Sequence, residues 1–165
     1  MILCGIDPMD KGAIAIMDTS EPCSMTITDM PVVNVTGTRP EVDVPALWDF
    51  FRENRVDKVY VEKMSPMPKG GNANFKRGGY LYLFRAIFAA AGIPFVEVPP
   101  KEWQKRFGIR SKKADDTKDQ SYLVASRLFP SHEFKGPKGG IKDGRSDAAL
   151  IAEHARITET GNGGR

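Results

Sequence analysis

At 165 residues the chain has the length of one ordinary domain, enough for a single hydrophobic core and too short for a typical two-domain enzyme. Its 16 glycines and 12 prolines exceed the usual share but fall short of a low-complexity composition, which excludes disorder throughout. Against 21 acidic side chains the 24 basic ones leave a net charge of only +3, which names no anionic partner by itself. No apolar run approaches the ~20 residues that span a bilayer. With a strand-like segment starting at Met1, the expected location is a cytoplasm, bacterial or phage-infected. Cys4 and Cys23 lie in separate strand-like segments without a CxxC or Cys/His cluster, so reduced structural thiols are expected.

Residues 1–7 (MILCGID), 12–18 (GAIAIMD) and 24–30 (SMTITDM) are short apolar or alternating runs separated by turn formers, and they predict a three-stranded antiparallel meander. Residues 36–39 read as a loop. Asp43 as N-cap and Pro45 in the first turn predict a helix to about Asn54. A fourth strand is expected at 58–62 (KVYVE), then a Pro/Gly/Asn-rich loop over 65–74. The helix predicted over 77–91 is apolar on almost every face and ends at Gly92. One subunit alone cannot bury such a helix on its outside, so a subunit interface is expected, the alternative being a helix packed between sheet and loops. Residues 93–98 (IPFVEV) predict a fifth strand, 117–129 an amphipathic helix stopped by Pro130, and about 145–157 the last helix. The expected organisation is one α/β domain over 1–157, a mixed five-stranded sheet flanked by helices, with a fraying tail at 158–165.

Charge is better read by position than by sum. Lys101, Lys105, Arg106, Arg110, Lys112 and Lys113 crowd one stretch against Glu102 alone, and Lys135, Lys138, Lys142 and Arg145 surround glycines in another. Such clusters suit a surface that tracks phosphates, and equally a solvated face. The acids are more telling. Asp7 ends the first strand and Glu62 the fourth, each after apolar residues that place it in the sheet interior, where an unpaired carboxylate is costly. Asp143 and Asp147 lie one helical turn apart at the start of the last helix, ahead of the small apolar run Ala148, Ala149, Leu150, Ile151 and Ala152. An N-cap role would also account for Asp143. Converging carboxylates without histidines favour a hard ion, Mg²⁺ or Mn²⁺. Two such ions, about 4 Å apart, suit phosphodiester hydrolysis.

The segments GIDP (5–8), VYVEK (59–63) and DGRSDAALIAEH (143–154) together resemble the RuvC-type Holliday junction resolvases of the RNase H-like superfamily. NFKRGGYLYLFRAIFAAAGIPFVEVPPKEWQKRFG and KDQSYLVASRLFP are similar to the phage-type RuvC-like members, so the resemblance covers nearly the whole chain. It implies an RNase H-like fold and a divalent-metal nuclease that acts on branched DNA as a homodimer, with Asp7, Glu62, Asp143 and Asp147 as metal ligands. It implies that Lys118 stands near the scissile phosphate, that Lys76 belongs to a substrate loop, and that helix 77–91 is the dimerisation helix. Lys63, Lys76, Lys105, Arg110, Lys112, Lys113, Lys118 and Lys138 form the pool expected to contact DNA phosphates.

Two departures stand out. The final acids are four residues apart, where bacterial members space them by three. Those members also carry an aromatic residue three positions after the strand glutamate, implied to wedge at the crossover. This chain has Ser65 there, with Phe75 or Met64 as substitutes. Among the remaining residues, His132 and His154 are expected to be surface or packing side chains, Trp103 to be buried, and Asp115 and Asp116 to cap the helix at Thr117. The alternatives to a junction resolvase are a less selective RNase H-like nuclease for flaps, forks or RNA-containing substrates, and a branched-DNA-binding protein without catalysis.

Overall fold

The apolar runs at the N-terminus form the strands their patterns call for in the computed structural model, which describes residues 1–22, 24–34, 40–68, 70–110 and 114–161. β1 (Ile2–Asp7), β2 (Ala13–Asp18) and β3 (Met25–Asp29) make the antiparallel meander. β4 (Val32–Val33) and β5 (Glu41–Val42) pair as a separate short ribbon. The side chain of Asp43 accepts from the Ala46 amide at 3.0 Å and starts α1 (Val44–Glu53). β6 (Lys58–Glu62) lies parallel to β1, and β7 (Phe95–Val98) parallel to β6, which gives the expected mixed sheet in the order β3-β2-β1-β6-β7. The helices are α2 (Gly71–Ala91), α3 (Pro100–Arg106), α4 (Ala114–Leu128) and α5 (Asp143–Gly161).

Strand alternation divides the core in two. Cys4, Ile6, Ile14, Val59 and Val61 face α1 and α2, where Leu47, Phe51, Phe84 and Phe88 cover them. Leu3, Ala13, Ala15 and Tyr60 face the other way, against α3, α4 and α5. By the same parity Asp7 and Glu62 belong to this second face. α5 presses on β1 so closely that a Cβ on Gly5 would lie 2.3 Å from the Ala152 amide nitrogen and 2.4 Å from the Ala148 carbonyl oxygen. At the start of α5, Gly144 meets the β1–β2 turn just as tightly, its would-be Cβ 2.5 Å from Lys11 O.

Several expected boundaries move. α2 begins six residues before the predicted 77, because the Asn74 side-chain amide bonds the Met67 backbone as donor and acceptor and so organises the approach to the helix. α3 was not predicted; it is a seven-residue helix whose only buried residue is Trp103. α4 starts at Ala114, which puts Asp115 and Asp116 inside its first turn rather than at a cap before Thr117. The tail expected to fray from 158 instead continues α5 to Gly161, held by Glu159, whose carboxylate accepts from Lys58 at 2.7 Å and from the Tyr60 hydroxyl. Cys23 and the 36–39 loop lie outside the described residues; Cys4 is buried and free. Among the described residues no helix is long and apolar enough to cross a membrane.

Candidate active site

Two adjacent parallel strands end side by side. Ile6 of β1 pairs with Val61 of β6, so the next residue on each strand, Asp7 and Glu62, projects from the same end of the sheet toward α5. Gly5 lets α5 approach to backbone contact, and the first turns of that helix then carry Asp143 and Asp147 to the same place. Four carboxylates from three distant parts of the chain share one field. Burial pushes the Asp7 carboxyl well above the ordinary carboxylate range, and the charges of Glu62, Asp147 and Asp143 push it further. Asp147 is raised to about 7, first by burial and then by Glu62. Burial also raises Glu62, opposed by a hydrogen bond from Trp103 and by the charge of Arg77.

The surrounding groups are arranged to manage that charge. The Trp103 indole N–H donates to Glu62 Oε2 at 3.0 Å, and the Lys118 ammonium sits 2.8 Å from Asp143 Oδ2. Asp147 Oδ1 is buried with no well-aligned hydrogen-bond partner among the described residues; the buried Ser121 hydroxyl lies close enough to pull its carboxyl back down in part. A buried carboxylate oxygen without a well-aligned donor, in the field of three further acids, is a donor set that fits a hard dication, which would supply the missing partner. As they stand, no three His, Cys, Asp or Glu side chains among the described residues close into a ready cation cage.

The four predicted acids are thus brought together, with Lys118 beside them. The Trp103 bond to Glu62 is a feature the sequence reading missed; it expected burial, which is correct, but not that the buried ring would hold a carboxylate. Lys76 is not on a loop. It lies in α2, its ammonium 3.0 Å from Asp10 Oδ2, 3.2 Å from Pro40 O and over the Tyr80 ring. With Arg77 it lines a groove of ≈ 630 Å³ against the Met9–Asp10 turn and Glu41. Lys63, Lys105, Arg110 and Lys138 are exposed, while Lys112 and Lys113 lie outside the described residues. Of the two residues expected to stand in for the family's aromatic, Phe75 is 87% exposed on the first turns of α2, whereas Met64 is 8% exposed in the core. His154 is buried edge-on to Tyr60, and His132 bonds Met25 O, so both are packing residues.

The fold is shared with solved structures. A Thermus thermophilus RuvC in complex with Holliday junction substrate superposes with a TM-score of 0.68 at 17% identity, over 98% of this chain and 96% of that one. A second T. thermophilus RuvC structure gives 0.59 at 18% identity, over 98% and 97%. The Fowlpox virus resolvase, in complex with Holliday junction DNA, gives 0.50 at 12% identity over the full length of both chains. No protein-family model and no curated protein sequence matches. The likeness establishes an RNase H-like fold for this chain.

Proposed function

We propose that this chain is an endonuclease that resolves four-way DNA junctions, a homodimer with one acidic pocket per subunit, nicking two symmetric strands to leave nicked duplexes. The observation that carries it is the convergence of Asp7, Glu62, Asp143 and Asp147 at one end of the central strands of this fold. The structural neighbours solved on junction DNA support the choice of substrate.

Asp7, Glu62, Asp143 and Asp147 would hold two Mg²⁺ or Mn²⁺ ions per pocket. When bound, the ions supply a Lewis acid that makes water nucleophilic at neutral pH. The protein does the rest by position. Trp103 fixes the carboxylate plane of Glu62, and the desolvated setting of Asp7 and Asp147 strengthens their hold on any cation that enters. Lys118, half-exposed beside Asp143, has the reach to exchange that partner for a phosphate oxygen and stabilise charge developing on it. Lys63, Lys76, Lys105, Arg110, Lys112, Lys113 and Lys138 supply phosphate contacts that set affinity and its salt dependence more than cleavage rate. For Lys76 this means leaving Asp10.

The dimer reading rests on α2. Phe75, Gly79, Tyr82, Ala86 and Ala89 fall on one stripe of the helix that the described residues leave exposed, while Tyr80, Phe84, Ile87 and Phe88 are buried on the other side. The decisive test is Asp7→Asn. Cleavage of a fixed four-way junction in Mg²⁺ should fall by several orders of magnitude while the gel-shift affinity for the junction is kept. Full activity of the variant would remove the mechanism.

A further inference from the structure

The segment joining α4 to α5 is a closed finger. Lys135 and Ile141 face each other across an antiparallel bridge. The Gly136 amide donates to Gly140 O at 2.8 Å, the Gly139 amide to Gly136 O at 2.8 Å, and the Lys142 amide to Phe134 O at 2.9 Å. Gly139 turns the tip at φ 78°, a left-handed value that a side chain would resist. At the root, Phe134 is buried in the core, and Arg145 clamps Asp29 with two bonds while a third reaches Glu133 O. These bonds hold the finger in one shape.

Ile141 stands on it in a position that burial does not explain. The side chain is 37% exposed. It lines a concavity with Lys118, Asp119 and Asp143, and a second with Asp10, Asp29 and Lys142. A third, across the finger, runs past Pro137 and Lys138. An apolar β-branched group is therefore held at the mouth of the acidic pocket, between Lys118 on one side and Lys138 on the other. Lys138 is exposed and has no side-chain partner among the described residues. A single strand of DNA matches this alternation: anionic phosphates for the two lysines, an apolar sugar or base face between them for the isoleucine.

On the premise of the junction-resolving reading, we propose that Ile141 is a strand-positioning residue: it packs on the sugar or base beside the scissile phosphate while Lys138 grips a neighbouring phosphate, so that the finger selects which bond lies over the carboxylates. The test uses the full-length protein and an end-labelled fixed junction. Ile141→Ala should lower kcat roughly 10-fold, leave junction affinity within about twofold, and spread the cuts over adjacent phosphodiesters, with Ile141→Leu restoring the single cut. Lys138→Ala should weaken binding without moving the cut and reduce the salt slope by about one. Should Ile141→Ala fold poorly by thermal melt, Ile141→Thr, which keeps the β-branch and removes the outer apolar methyl, is read instead. If the wild type cuts and the folded variant cuts at the same bond with the same kcat, the role of Ile141 is overturned alone. A wild type that cuts no branched DNA overturns the nuclease reading and this role with it.

Discussion

Asp7 and Asp147 are held in a state that costs the fold something when they ionise. The carboxyl of Asp147 titrates near 7 in the folded protein, above the ordinary range of the unfolded chain, and Asp7 is displaced in the same direction. The native state therefore binds protons that the unfolded state has already released. Their stabilising contribution is complete below about pH 4 and is lost as pH climbs to about 7 and beyond. In a chelating buffer the melting temperature should consequently fall between about pH 5 and pH 8, and Asp147→Asn should flatten that slope. Mg²⁺ should raise the melting temperature more at pH 8 than at pH 5, because cation and protons compete for the same oxygens. A slope of the opposite sign in differential scanning calorimetry would contradict the electrostatics of the pocket. These acids were legible in the sequence because each ends an apolar strand or opens a helix with a small-residue face, and strand parity then puts Asp7 and Glu62 on one side. Trp103 was half legible. Its burial shows in the composition around it, but nothing local indicates that its N–H would reach Glu62, 41 residues earlier.

At the level of elements, the contact between β1 and α5 sets the geometry of the pocket. A methyl on Gly5 has nowhere to go, because the atoms it would meet belong to the backbone of α5 rather than to a side chain that can turn away. Gly5→Ala should therefore destabilise by at least the ~1–3 kcal/mol typical of overpacking, and any folded fraction should cleave poorly because α5 has been lifted off the strand. Gly78→Ala is the matched control. In mid-α2, with nothing within 4 Å of the new Cβ, it should stabilise by up to about 1 kcal/mol in urea unfolding. The five strands of the main sheet and α1 were readable because their patterns and caps are local, whereas the two-residue strands β4 and β5 were not predicted, being too short to carry a pattern. The first turns of α2 were hidden by Gly71, Asn72 and Asn74, residues that weaken a helical pattern and are here tolerated by the fold. The last turn of α5 was missed because its anchors, Lys58 and Tyr60, lie 101 and 99 residues away in the chain.

For the whole molecule, the proposed dimer makes α2 the element that would bring two pockets to one substrate. Tyr82 is 68% exposed on the stripe that the described residues leave uncovered, with Arg85 near its ring. Tyr82→Glu should leave the monomer folded and break self-association, moving the protein to the monomer position in gel filtration at micromolar concentration. On a supercoiled plasmid that extrudes a cruciform, the variant should accumulate nicked circles, where the wild type gives linear product. Linear product at the wild-type rate from a monomeric variant would exclude paired incision. The all-round apolarity of this helix was visible in sequence. Which half of its surface the chain covers for itself follows from the sheet it packs against, and so from the completed fold.

The backbone-to-backbone seat of the final helix on the first strand also has a consequence in time. Asp7 is made early and Asp147 comes 140 residues later, so a ribosome that has just delivered the middle of the sequence has produced a sheet with only part of its acidic pocket. On the proposed reading, a polypeptide without α5 would carry Asp7 and Glu62 but neither Asp143 nor Asp147, and would cut no DNA. The four-acid pocket is complete only once α5 has docked on β1.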